Sequence, residues 1–169
     1  MDIIFLALHI YVLVFSEVSS CPSSVLSSVI GISPPNLEPH LHELVERAIT
    51  EYGATEFWDG YYGGFDELAA DVVISLKTKY PHIRLKRIFA YSPTNCIPRR
   101  GFDANVYPEM LDQYPDSWHI PRRNLWMAAQ CNLAITYIEH ANSRIHEPFD
   151  WLVGKKPVFN LGSYQPPSD

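Results

Sequence analysis

Three groups of residues in this chain have the types and spacing for chemistry. The first is Gly60, Gly63, Gly64, Phe65 and Asp66, inside the run FWDGYYGGFDELAADVVISLKTKY from Phe57 to Tyr80. A strand end, a glycine-rich turn and a helix start in that order present unpaired backbone N–H groups at the positive end of a helix dipole. Glycines there permit positive φ and let an anion approach the backbone. Asp66 suits the same helix start, either as a cap that complements the dipole or as a partner for ribose hydroxyls, and it repels phosphate. The second group is Arg122, Arg123 and Asn124. Basic residues at an expected helix N-terminus oppose the dipole unless a ligand or neighbouring carboxylates supply negative charge. The third is Tyr91 and Tyr137, near expected strand ends, where a ring could stack on a base or simply pack.

For catalysis the candidate carboxylates are Asp66, Glu109 and Glu139, which could stabilise an oxocarbenium-like centre or act as a nucleophile at an N-glycosidic bond. The sequence holds no carboxylate pair, Ser-His-Asp constellation or Walker A lysine motif that would assign the role. His42 and Glu46 have i, i+4 spacing but no third ligand, so a solvated helix face is expected and no metal. Pro98-Arg99-Arg100-Gly101 reads either as a solvated loop or as a clamp over phosphate oxygens.

The elements that must position these residues alternate between strand and helix. Val25 to Ile30 looks like a first strand ending at Gly31. Leu37 to Tyr52 is an amphipathic helix stopped by Gly53, with Leu41, Leu44, Val45, Ala48, Ile49 and Tyr52 on one face. Ala54 to Asp59 is a second strand, and the helix after the glycine turn carries Leu68, Ala69, Val72, Val73 and Leu76 as a buried stripe. Ile83 to Ala90 is a third strand. Residues 92–118, with four prolines, read as an irregular insertion holding a helical turn at Tyr107 to Gln113. His119 to Gln130 is a helix, Asn132 to Ile138 a strand, Ile145 to Val153 a short helix and Pro157 to Leu161 a last strand. The implied fold is α/β, a mostly parallel sheet of about five strands flanked by helices, with ligands expected beyond the carboxyl ends of the strands.

A chain of 169 residues is one domain's worth, here residues 23–162, with a Pro-rich tail at 163–169 expected to be unstructured. The apolar segment within residues 1–22 has three readings: an atypical signal or anchor without a positive n-region, a buried first element, and a non-native extension. It leaves membrane association dependent on that segment, and the cytoplasm is the expected compartment. A net charge of −6 argues against a sequence-wide grip on nucleic acid and leaves a local basic patch open. Cys21, Cys96 and Cys131 are odd in number and lack a CxxC pair, so no disulfide framework or zinc site is indicated and a reducing compartment fits. Homo-oligomerisation is left open.

Gly63-Gly64-Phe65-Asp66 with Leu68-Ala69, then Lys79-Tyr80-Pro81-His82-Ile83, then Arg123-Asn124-Leu125-Trp126-Met127 with Gln130, resemble in order and separation the SLOG superfamily of Rossmann-like domains. The likeness is greatest to small stand-alone bacterial proteins of the YpsA type and spans roughly Val25 to Leu161. It implies a Rossmann-like three-layer domain that binds or senses a nucleotide or nucleotide-derived small molecule; the sequence identifies no other cofactor. Relatives that act on N-glycosidic bonds keep an enzyme as the alternative, and a scaffold that has lost its ligand is a third. Two loops depart from the pattern. Ile30-Gly31-Ile32-Ser33-Pro34 stands where a TGHRP-like loop is usual, and Ala141-Asn142-Ser143-Arg144 replaces a Gly-Gly turn. No PGGxGT-type motif is present, which speaks against cytokinin release.

Overall fold

The computed structural model describes residues 10–16, 37–60, 64–93, 100–138 and 146–163, with backbone alone for 10–16 and 146–148. The chain is α/β. Its strands are β1 (Ile10–Ser16), β2 (Ala54–Asp59), β3 (Arg84–Ile88), β4 (Ala104–Val106), β5 (Leu133–Tyr137) and β6 (Val158–Asn160). Its helices are α1 (Leu37–Thr50), α2 (Gly64–Leu76), α3 (Asp116–Gln130) and α4 (His146–Leu152), with a 3-10 helix at Glu109–Gln113. All five strand pairings are parallel, in the order β4-β3-β2-β1-β5-β6. The chain therefore winds outward from β1 to β4 and then returns to the other side of β1, so the order reverses between β1 and β5.

The strands alternate into two apolar clusters on opposite faces of the sheet. Phe57, Leu85, Leu133 and Ile135 join Leu41, Val45 and Ala48 of α1 and Ala69, Val73 and Leu76 of α2. Their neighbours Trp58, Ile88 and Ala134 join Met127 and Ala128 of α3 and Phe149 and Leu152 of α4. A two-residue side-chain period makes this division, since successive residues of a strand point to opposite faces. The stripe of α2 is buried along its length, as its helical spacing requires.

Several expectations are corrected. Of the three readings of the apolar N-terminal segment, residues 10–16 take that of a buried first element rather than one outside residues 23–162: they form an inner strand, hydrogen-bonded to β2 on one side and β5 on the other. A run of apolar and β-branched residues is what a parallel strand between two neighbours needs. The expected first strand at Val25 to Ile30, with Gly31, lies outside the described residues, as does the tail from residue 164. Among the described residues the sheet has six strands where about five were expected, because the segment 92–118, read as an irregular insertion, supplies β4 at the edge. Finally, α3 begins at Asp116, whose carboxylate complements the dipole in the first turn. Arg122 and Arg123 thus lie about two turns into the helix, where the dipole no longer penalises them.

Candidate functional site

The carboxyl end of β2 finishes in Asp59, which is 1% exposed and stands in register between Val14 of β1 and Arg87 of β3. Gly60 follows. Its role differs from the one expected, because it has no positive φ. Space is what it provides: a Cβ there would stand 2.9 Å from Arg123 Nη2. Arg123 Nη1 donates to the carbonyl oxygens of Gly60 and Ile88, the latter at 3.1 Å. Its Nε and Nη2 donate to Asn124 Oδ1 at 3.0 and 2.7 Å. Arg123 and Asn124 are each 2% exposed. Together they tie α3 to the carboxyl ends of β2 and β3, which makes Arg123 a positioning residue for Gly60.

Arg122 is not part of that tie. Successive helix positions are about 100° apart, so two neighbouring arginines cannot share a face. The Arg122 guanidinium lies 4.7 Å from the ring centroid of Tyr114 and 5.6 Å from that of Trp118.

α2 starts at Gly64, where a Cβ would meet nothing within 4 Å among the described residues. Phe65 stacks on Tyr137 at the end of β5, with centroids 5.6 Å apart and planes 22° from parallel. Two side chains expected to face a ligand thus face each other, and the first turn of α2 reaches across β1 to β5, over the place where the strand order reverses. Asp66 is 3% exposed in that turn. Gly63 and Glu139 lie outside the described residues.

The other candidates are dispersed. Tyr91 follows β3 and donates from its hydroxyl to Asp116 O at 3.3 Å, with its ring 5.4 Å from that of His119. Glu109 is exposed beyond β4, the edge strand, with β3 and β2 between it and β1. Nearby, Tyr107 donates to Asp112 Oδ1 at 2.7 Å, and this hydrogen bond to a carboxylate pushes its phenol up to about 12. That corner is a structural tie. The KYPHI segment lies at the opposite, amino edge of β3. Lys79 Nζ and Tyr80 OH donate to Glu46 Oε1 of α1 at 2.6 and 2.7 Å, so Glu46 is occupied. Among the described residues no group of three metal-ligating side chains occurs. No helix among them is long and apolar enough to cross a membrane.

Sequence reasoning missed Asp59, His119 and Asn160. A charged residue closing the otherwise apolar strand end FWD was a legible sign of the first. Asn160 was not legible, because its role depends on β6 lying beside β5. Its Oδ1 accepts from Thr136 Oγ1, Ile138 N and Gly162 N at 3.1, 2.9 and 3.3 Å, and its Nδ2 donates to Ile138 O at 3.0 Å. That bracing fixes where β5 ends at the carboxyl edge. No protein-family model matches the chain, and no curated protein is significantly similar to it.

Proposed function

We propose that the chain is a Rossmann-like three-layer domain of the SLOG type that binds or senses a nucleotide or nucleotide-derived small molecule at its carboxyl edge. The observation that carries this reading is the position of the α2 start. Among the described residues nothing approaches a Cβ at Gly64 within 4 Å, and the helix start reaches from β2 to β5 across the point where the strand order reverses. In parallel sheets that crevice is where ligands sit, and a helix N-terminus there favours an anion. Asp66, buried in the same turn, and Asp59, buried at the end of β2, suit sugar hydroxyls. Arg123, braced by Asn124, contributes by holding Gly60 at the end of β2. The buried free thiol of Cys131 is compatible with the cytoplasm as the working compartment.

An enzyme acting on an N-glycosidic bond is the second reading, favoured by the burial of Asp66 beside that helix start, since a desolvated carboxylate stabilises a developing cation strongly.

Gly64→Val tests the site, because its Cβ would meet nothing within 4 Å among the described residues. Wild-type protein should show a thermal shift with at least one member of a nucleotide panel, and Gly64→Val should lose it while keeping its own melting temperature within a few degrees. A panel that shifts neither protein sinks the binding reading. Release of free base by the wild type and none by Asp66→Asn would establish the enzyme instead.

A further inference from the structure

His119 and Arg122 sit three positions apart on α3, close enough to be neighbours on the helix surface. Both belong to one cluster at the carboxyl end of β3. His119, 6% exposed, holds Tyr114 O from Nε2 at 2.9 Å. The Tyr114 ring lies under the Arg122 guanidinium, Trp118 flanks the same guanidinium, and Tyr91 packs against the imidazole. A carbonyl oxygen only accepts, so Nε2 carries the proton in the neutral ring and Nδ1 is left as an acceptor. His119 Nδ1 and Arg122 Nε are both buried and have no hydrogen-bond partner among the described residues. One is an acceptor and the other a donor. Buried polar atoms in native proteins are normally paired, so each unpaired one calls for an explanation.

The complement of a donor beside an acceptor, among aromatic rings, is a flat group that carries both on one edge. We propose that this cluster is the subsite for the base of the nucleotide-derived ligand, a statement that rests on the function proposed above. An N–H on the base edge donates to His119 Nδ1, and a ring nitrogen or carbonyl beside it accepts from Arg122 Nε. Tyr91 and Trp118, 39% and 52% exposed, supply the stacking faces. Tyr91 packs against the His119 ring and Trp118 against the Arg122 guanidinium.

The test is calorimetric titration of the full chain with the four nucleoside 5′-monophosphates and with ribose 5-phosphate. At least one monophosphate should bind roughly tenfold or more tightly than ribose 5-phosphate, the order expected of stacking plus hydrogen bonding to a base. His119→Phe, which keeps a ring and removes the acceptor, should reduce that monophosphate's affinity about tenfold and leave ribose 5-phosphate unchanged. Trp118→Ala, at an exposed position that does not threaten folding, should do the same. In wild-type protein the 15N resonance of His119 Nδ1 should move upfield on binding. Equal affinity for ribose 5-phosphate and every monophosphate, or monophosphate binding indifferent to both variants, overturns the base subsite and leaves the proposed function standing. Absence of binding by all five compounds overturns both.

Discussion

Arg123 and Gly60 are fitted to one another. The guanidinium donates to the Gly60 carbonyl oxygen, and its Nη2 occupies the space where any Cβ at Gly60 would begin. Glycine is needed at this position for closeness and not for an unusual backbone angle. Nη1, which donates to Gly60 O, also reaches Ile88 O, so one buried cation fixes α3 against the carboxyl ends of two strands.

Replacing Arg123 with Met should destabilise the fold by about 2–4 kcal/mol, since the Gly60 and Ile88 carbonyls lose a charged donor inside the protein. Gly60→Ala should cost about 1–3 kcal/mol through overpacking against the guanidinium. The pair should be sub-additive, because a flexible Met side chain yields to the new methyl where the bonded guanidinium does not. Urea denaturation of both single variants and the double variant measures this. Strict additivity would mean that the two residues do not bear on each other.

Most of the wall elements were legible in the sequence because each is dictated by local pattern. The stripe of α2, the stripe of α1 and the strand FWD follow from periods of 3.6 and 2, and their observed bounds lie within a few residues of those expected. Three things were not legible, for different physical reasons. Residues 10–16 have the composition of a signal segment and of a central parallel strand alike, and only pairing with β2 and β5 separates the two. The start of α3 lies at Asp116, ahead of the expected His119, and Pro121 inside the helix forgoes a single backbone bond while the helix packs against Trp58 and Ile88. The direction of Arg123 was misread because a buried arginine satisfied by backbone carbonyls has no sequence signature. From sequence alone it is indistinguishable from an arginine that awaits a phosphate.

Asn160→Asp should cost about 1–3 kcal/mol. The substitution keeps the acceptors for Thr136, Ile138 and Gly162 but removes the donor to Ile138 O and brings a charge into a half-buried site. Gly162→Ala should be at least as harmful, since its Cβ would stand 2.1 Å from the Ile138 carbonyl oxygen, which is backbone and cannot swing away. Hydrogen exchange at the Ile138 amide reports both changes. Unaltered protection there in the two variants would remove Asn160 from the account of how β5 ends.

Asp103 should contribute to the acid limb of stability. Burial works against its charge, but Lys77, the Leu85 N–H and Arg84 outweigh that and hold its carboxyl below the ordinary value of 3.8. The folded state therefore releases this proton more readily than the unfolded state. Its stabilisation is present above the ordinary carboxylate range and is lost as pH falls through the folded value. Asp103→Asn should lower stability at pH 7 and flatten the decline below pH 4. A variant whose acid limb superimposes on that of the wild type would show that other carboxylates carry it.

Cys131 closes α3, and its chemistry reports on the integrity of that end. Burial pushes its thiol up to about 11 against the opposing influence of Lys156. Lys156 Nζ in turn donates to the carbonyl oxygens of Ala128, Ala129 and Cys131 at 2.9, 2.8 and 2.6 Å, a cation placed at the negative end of the helix. At pH 8 the folded protein holds almost no Cys131 thiolate, so iodoacetamide should modify this residue only through opening of the helix end, as peptide mass spectrometry can localise. Lys156→Met leaves the last carbonyls without their donor and should speed that modification several-fold, while an unchanged rate would show that the lysine does not hold the helix end closed. The linkage has a definite sign: with a folded value above the unfolded one, the stabilisation is complete below about pH 9 and is lost as pH rises towards 11, by up to about 2–3 kcal/mol. Cys131→Ala should abolish that alkaline decline, and if the decline persists undiminished in the variant, the thiol is not its source.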